Sequence, residues 1–217
     1  MDGLVTVVNP ADLLHVELPL SASTVEEIAE WRQPVPLHLA LSDPRDYPLL
    51  YRCTALLDHC AVRVAIPLRA GFVRAVRLAA SLQFPVKLEI VPPSPQLLDE
   101  LVDVLELYLH RSTVAQPVEP FHSSLLAILD QKPLTLWSIQ EEDPALFREI
   151  AENGEERLPG RLVSEPSPPG GGDFLAVWQS RLLAEQGECT SCAHFDYCGG
   201  YFKWPDRSFS CAGVDAV

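Results

Sequence analysis

The sequence predicts an α/β fold, a partial (β/α) barrel or an open parallel sheet with a C-terminal cysteine-rich metal-binding tail. Short β-like runs alternate with amphipathic helical patterns about every 25 residues in the first half of the chain, which is typical of parallel strands covered by helices. Four of the six cysteines then fall between residues 189 and 211. A complete eight-unit barrel takes about 250 residues. The chain, with 217 residues, is too short to hold one as well as the tail.

Residues 1–115 contain the strand–helix units. Each predicted strand has a strand's length and is rich in leucine or β-branched residues. The predicted strands are Leu13–Leu18, Val35–Ala40, Val62–Ile66 and Val86–Ile90. The predicted helices are Thr24–Trp31, with Ser23 or Thr24 as its cap, Tyr47–Cys60, Gly71–Leu82 and Pro95–His110.

Residues 116–186 are predicted to bridge these units and the tail, because the strand–helix alternation loosens after Pro117. The predicted elements are a helix at 120–131, a strand at 134–139, a helix at 143–152 capped by Asp143, and a helix at 174–186. A loop is predicted at 164–173, where three prolines and three glycines cannot sustain a helix or a central strand.

Composition and charge restrict the class of partner. The net charge is −14 and the pI is about 4.7, so nucleic acid and anionic membrane surfaces would be repelled. No apolar run approaches the roughly 20 residues that cross a bilayer. Residues 1–10 show neither the basic nor the apolar region of an export signal. We therefore expect a cytoplasmic protein with reduced cysteines.

The tail, residues 187–217, carries the array C-x2-C-x5-C-x12-C, formed by Cys189, Cys192, Cys198 and Cys211. The pair Gly199-Gly200 allows a sharp turn after the third thiol. Four reduced thiols at this spacing predict a metal site, and they fit either a tetrahedral zinc ion or an iron–sulfur cluster. The irregular gaps lack the repeated C-x2-C pairs of a zinc ribbon, which favours the cluster.

Cys53 and Cys60 are interpreted as core residues. They lie on the apolar stripe of the predicted helix Tyr47–Cys60, where seven residues of helix separate their Cα atoms by about 10 Å, too far for a disulfide. His194 lies inside the cysteine array, but with four thiols available we expect it outside the ligand set.

The tail resembles the SPASM extension of radical SAM peptide-modifying enzymes, which also carries C-x2-C-x5-C followed by a distant cysteine. In that family two auxiliary clusters share the ligands: Cys189, Cys192, Cys198 and Cys211 match the positions that bind the second, and a cysteine that follows the third after an x3 gap serves the other. Phe202 occupies this position here. The resemblance, which covers residues 187 to 214, implies a single [4Fe-4S] cluster bound by Cys189, Cys192, Cys198 and Cys211. A partial barrel, the fold of radical SAM enzymes, agrees with the predicted architecture.

The catalytic signature of that family is missing. Its C-x3-C-x2-C loop holds the cluster that cleaves S-adenosylmethionine, and no such triplet occurs in this chain. The sequence also lacks a glycine-rich phosphate loop, G-x-S-x-G and H-E-x-x-H. We therefore expect that the chain is not a stand-alone radical SAM enzyme, and the sequence assigns no catalytic residue.

The resemblance implies an accessory or degenerate SPASM-like iron–sulfur protein. Its expected role is to assist peptide or natural-product maturation by binding a substrate or a partner enzyme, or by relaying electrons. The expected partners are a radical SAM enzyme or a precursor peptide. Two alternatives remain: a subunit of a split enzyme with a substrate cavity in the α/β domain, and a structural protein that binds Zn2+.

Overall fold

A computed structural model describes residues 13–163, 165 and 173–214. The chain forms two compact units, and the boundary falls between His122 and Ser123. Residues 1–10, on which the expectation about an export signal rests, lie outside the described residues, as does the predicted loop 164–173 except for Glu165 and Asp173.

The first unit is built on a five-stranded sheet in which all neighbouring strands are parallel. Its strands are β1 (Val16–Pro19), β2 (Leu37–Ala40), β3 (Val62–Pro67), β4 (Val86–Glu89) and β5 (Val118–Glu119). Their order in the sheet is their order in the chain. The predicted α/β class with parallel strands is confirmed. The four predicted strands correspond to β1–β4, whereas β5, with only two residues, has no sequence signal.

The two faces of this sheet differ in character. Successive side chains of a strand point to opposite faces, and the residues of one face include the fully buried Leu37, Val64 and Leu88. Right-handed crossovers between strands in sequential order place every connecting helix on one face. The opposite face carries polar side chains on every strand: Glu17, His38, Arg63, Lys87 and Glu119.

The helices of the first unit are α1 (Ala22–Ile28), α2 (Leu50–Cys53), α3 (Phe72–Ser81) and α4 (Pro95–His110), and α5 (Phe121–Asp130) contains the boundary between the units. Helix α3 packs against β3 and β4. Helix α4 has the predicted bounds, with Ser94 as its cap. Helix α1 begins earlier than predicted because Ser21 forms a capping box with Thr24, so the predicted cap at Ser23 or Thr24 is wrong.

The prediction of a single helix over Tyr47–Cys60 is also wrong. The chain forms a 3-10 helix at Pro44–Leu49, then α2, then a second 3-10 helix at Thr54–Asp58. Pro48 lies inside the first of these, and its missing N–H removes a donor that a continuous α-helix needs. Cys53 nevertheless remains on the buried side, with 1% of its surface exposed.

The second unit consists of short elements. These are α6 (Leu136–Ile139), β6 (Glu149–Ile150), β7 (Glu156–Arg157), α7 (Phe174–Ala184), α8 (Phe195–Cys198), and the 3-10 helices Gly160–Leu162, Glu188–Ser191 and Tyr201–Lys203. The start of α7, with Asp173 as its cap, is as predicted. Trp137, Trp178 and Tyr201 form the aromatic part of the core, where the Trp137 and Tyr201 ring centroids lie 4.9 Å apart.

Two predictions in this unit are wrong. Residues 134–139 are not a strand, because the Thr135 hydroxyl accepts a hydrogen bond from the Ser138 amide and caps α6. Residues 143–152 do not form a helix: the chain turns at Asp143 and then enters β6, which pairs with β7 in an antiparallel hairpin. Within the described ranges, no helix is long and apolar enough to span a bilayer.

Candidate metal centre

A double-glycine turn positions the third cysteine. Helix α8 ends at Cys198, and the next two residues, Gly199 and Gly200, have positive φ angles of 56° and 75°. Residues with a Cβ rarely adopt this conformation. Burial raises the pKa of the Cys198 thiol, and the backbone amides of the residues just after Gly199 oppose this by hydrogen bonding to its sulfur. The amide donors belong to Gly200, Tyr201 and Phe202.

Two tryptophans hold this turn in place. The indole Nε1 of Trp137 donates to the carbonyl oxygen of Gly199 at 3.1 Å, and the Nε1 of Trp178 donates to that of Gly200 at 3.2 Å. Both indoles are buried, so these bonds satisfy polar groups that water does not reach. A Cβ at Gly200 would lie 2.2 Å from a Leu182 methyl carbon. The turn therefore requires glycine for both its backbone conformation and its packing.

Glu188 links the first and last cysteines of the array. It directly precedes Cys189, and its Oε2 accepts a 3.2 Å hydrogen bond from the backbone amide of Cys211. The same oxygen lies 2.6 Å from the ammonium of Lys203, which also donates to the carbonyl of Phe209. Lys203 is 6% exposed and therefore brings a buried positive charge beside the thiols.

The four thiols influence one another electrostatically. Burial raises the pKa of Cys189, nearby Lys203 opposes the rise, and the negative charges of the Cys198 and Cys192 thiolates add to it. Burial likewise raises the pKa of Cys211 to about 11, with further contributions from Cys198 and Cys189. The tertiary structure thus brings the four cysteines together. Metal binding must displace the proton of each thiol whose pKa is raised, those of Cys189, Cys198 and Cys211.

Among the described residues, the four tail thiols do not form a preformed site for a single ion. Sulfurs bound to one tetrahedral zinc at about 2.3 Å lie about 3.8 Å from one another. Among the described residues, however, no three of the four cysteine sulfurs lie within 4.8 Å of one another. In a [4Fe-4S] cluster each thiolate binds a different iron, so the sulfurs are held further apart than around one ion.

A buried ion pair supports the segment after the turn. The Nε of Arg161 lies 3.0 Å from an oxygen of Glu142, and its guanidinium stacks 3.8 Å from the ring centroid of Tyr201. Arg161 also donates to the carbonyls of Tyr201 and Trp204. Because Glu142 and Arg161 lie far from the cysteines in the sequence, no local pattern predicts their contribution.

The remaining two cysteines do not belong to the unit that contains the tail cysteines. Cys53 and Cys60 belong to the first unit and are free thiols, and burial raises the pKa of Cys53 to about 11. His194 is exposed and directly precedes α8. The sequence analysis missed Glu188, Lys203 and the two tryptophans. The only local signal for Glu188 and Lys203 is that both lie within the cysteine array or next to it.

Comparisons with protein families, curated proteins and solved structures return no match to the chain.

Proposed function

We propose that this chain is an accessory iron–sulfur protein that binds one [4Fe-4S] cluster through Cys189, Cys192, Cys198 and Cys211. The observation that carries the proposal is that Cys189, Cys192, Cys198 and Cys211 lie in one unit and close enough to influence one another's charge. Three backbone amides on the Cys198 sulfur support it, because such hydrogen bonds adjust the potential of iron–sulfur centres.

When bound, the cluster would supply a one-electron relay or a structural crosslink. Ligation by four thiolates leaves no coordination position for a substrate, so the surrounding residues serve to hold and shield the centre. Lys203 offsets part of the negative charge of the thiolates, and Glu188 fixes Lys203 beside them. Trp137 and Trp178 keep the backbone of the double-glycine turn rigid.

The proposed biological role is to assist the maturation of a peptide or natural product, beside a radical SAM enzyme. Two features support this role. The net charge of −14 would attract a basic precursor peptide. The sequential order of the parallel strands is the order of a partial (β/α) barrel, in which the polar sheet face with His38 and Arg63 would be the interior. A substrate could bind to that face.

The decisive experiment is anaerobic purification followed by analysis of iron, sulfide and zinc. We expect brown protein with about four irons and four sulfides per chain. Colourless protein with one zinc per chain would overturn the cluster and favour the structural zinc protein. Co-purification with a radical SAM enzyme and its precursor peptide, compared between the wild type and Cys198→Ala, then tests whether the centre is needed for the partnership.

A further inference from the structure

A second group of potential metal ligands lies on the polar face of the sheet in the first unit. His15, Glu17 and His38 each place one ligand atom within 4.8 Å of the others. His38 is buried, His15 is half-buried and Glu17 is exposed. The group belongs to a different unit from the cysteine array and shares no residue with it.

The register of the sheet explains this arrangement. His15 and Glu17 are two residues apart at the start of β1, so they point to the same face. Glu17 is the register partner of His38 on the neighbouring β2. The imidazole rings of His15 and His38 stack, with centroids 3.3 Å apart and an interplanar angle of 19°. Two imidazoles and a carboxylate from neighbouring strands therefore lie together on one face, each with a ligand atom within 4.8 Å of the others.

We propose that His15, Glu17 and His38 form a binding site for a divalent first-row transition metal ion, Zn2+ or Fe2+. Two imidazoles and one carboxylate are a ligand set typical of both ions, and three protein ligands leave room for water to complete the coordination. Because Glu17 is exposed, solvent can reach the site on the side of this carboxylate.

Arg63 on β3 is the group that a metal must displace. Its Nη2 lies 3.2 Å from Nδ1 of His38. A guanidinium can only donate, so Nδ1 accepts. A neutral imidazole bound to a metal through Nε2 carries its proton on Nδ1, and one bound through Nδ1 has no acceptor left there. With either nitrogen as the ligand, Arg63 must release His38, and its positive charge also opposes the cation. Arg63 therefore competes with the metal.

The position of the group in the sheet indicates what the metal would do. His15, Glu17 and His38 lie toward the amino-terminal ends of β1 and β2, whereas α/β enzymes place their chemistry at the carboxyl ends of the strands. A metal here would connect the edge strand β1 to β2. We infer a stabilising site, whose occupancy raises the unfolding temperature of the first unit by mass action.

The test uses the full chain with its tail centre reconstituted, titrated with Zn2+ in competition with a chromophoric chelator. Glu17→Gln, His15→Ala and His38→Ala should each weaken binding by at least about tenfold and remove the rise in unfolding temperature that zinc causes. His59→Ala, which removes an exposed histidine elsewhere in the same unit, should change neither. Glu17 is exposed, so Glu17→Gln keeps the test valid if the buried His38→Ala variant does not fold.

Two further measurements distinguish this site from the cysteine array and test whether Arg63 competes with the metal. Co2+ bound here should give ligand-field bands without the thiolate charge-transfer absorption that cysteine ligands produce. Arg63→Met should bind zinc as tightly as the wild type or more tightly. The proposal is overturned if the additional Co2+ shows thiolate bands, or if the three ligand variants bind zinc like His59→Ala. It is also overturned if Arg63→Met abolishes binding, since Arg63 would then support the binding of zinc and not compete with it.

Discussion

The indole nitrogen of Trp178 donates a 3.2 Å hydrogen bond to the carbonyl oxygen of Gly200, two residues after the third cysteine of the tail. Trp178 lies on α7, and both residues are buried. A helix that precedes the cysteine array thus fixes the orientation of the peptide group that follows Gly200, at the end of the double-glycine turn. The position of the Cys198 sulfur therefore depends on the packing of the second unit as well as on the local cysteine spacing.

Gly200→Ala should destabilise the second unit and lower its metal content. The substitution adds a methyl group 2.2 Å from Leu182 Cδ1 at a φ of 75°, and each effect costs about 1 to 3 kcal/mol. Chemical denaturation and metal analysis measure both outcomes. Gly187→Ala is the matched control, because its φ is negative and its Cβ would meet no atom within 4 Å. Equal stability of the two variants would contradict the packing argument.

Cysteine substitutions should fall into two classes. Cys53→Ala and Cys60→Ala should keep full metal content, because these thiols belong to the first unit. Cys189→Ala and Cys198→Ala should lose the metal, because each removes one of the four proposed ligands. Elemental analysis of the purified variants measures this. Metal loss from a folded Cys53→Ala variant would show that the ligand assignment is incorrect.

Lys203→Met should lower the stability of the second unit and shift the reduction potential of the proposed centre. The substitution removes the ammonium that lies 2.6 Å from Glu188 and that donates to the carbonyl of Phe209, so we expect a lower free energy of unfolding. If the centre holds a redox-active cluster, losing a nearby positive charge should also make its reduction potential more negative. Protein-film voltammetry measures the potential. Lys203→Arg serves as the control, since it keeps the charge; a potential that is the same in both variants would exclude the electrostatic role.

The buried thiol of Cys53 should make stability depend on pH in the alkaline range. Burial raises its pKa from 9.0 to about 11, so folding favours the protonated thiol. The stability that the protonated thiol contributes is complete below pH 9 and is lost as the pH rises through 11, by about 3 kcal/mol. The stability difference between the wild type and Cys53→Ala should therefore decrease over this range. For Leu56→Ala, a buried position without a titratable group, the difference should stay constant.

The isolated protein should not cleave S-adenosylmethionine. Reductive cleavage needs a cluster with one iron free of protein ligands, and all four tail thiols are needed to saturate the proposed one. Incubation of the reconstituted, dithionite-reduced protein with S-adenosylmethionine, followed by assay for 5′-deoxyadenosine, tests this. Multiple turnovers that Cys189→Ala abolishes would mean that the tail cluster is catalytic and would refute the accessory role.

Local sequence patterns were sufficient for the four longer parallel strands, for helix α4 and for the spacing of the four tail cysteines. Strands β2–β4 and helix α4 follow from hydrophobic periodicity and from caps such as Ser94, which are properties of a few adjacent residues. The cysteine array is likewise recognised from the spacing of its four cysteines in the sequence. Local patterns failed at residues 134–139, where an apolar run is too short for periodicity to separate a strand from a helix, and a single hydroxyl, that of Thr135, decides the outcome.

Only the tertiary structure decided which residues surround the sites. The pairing of Glu17 with His38 depends on strand register, which the sequence of neither strand specifies alone. The contacts of Trp137 and Trp178 with the double-glycine turn span 62 and 22 residues of sequence. The sequence therefore determined the chemistry available to this protein, the thiols and imidazoles, because residue types and short spacings are local. Their grouping into centres depended on packing between distant segments.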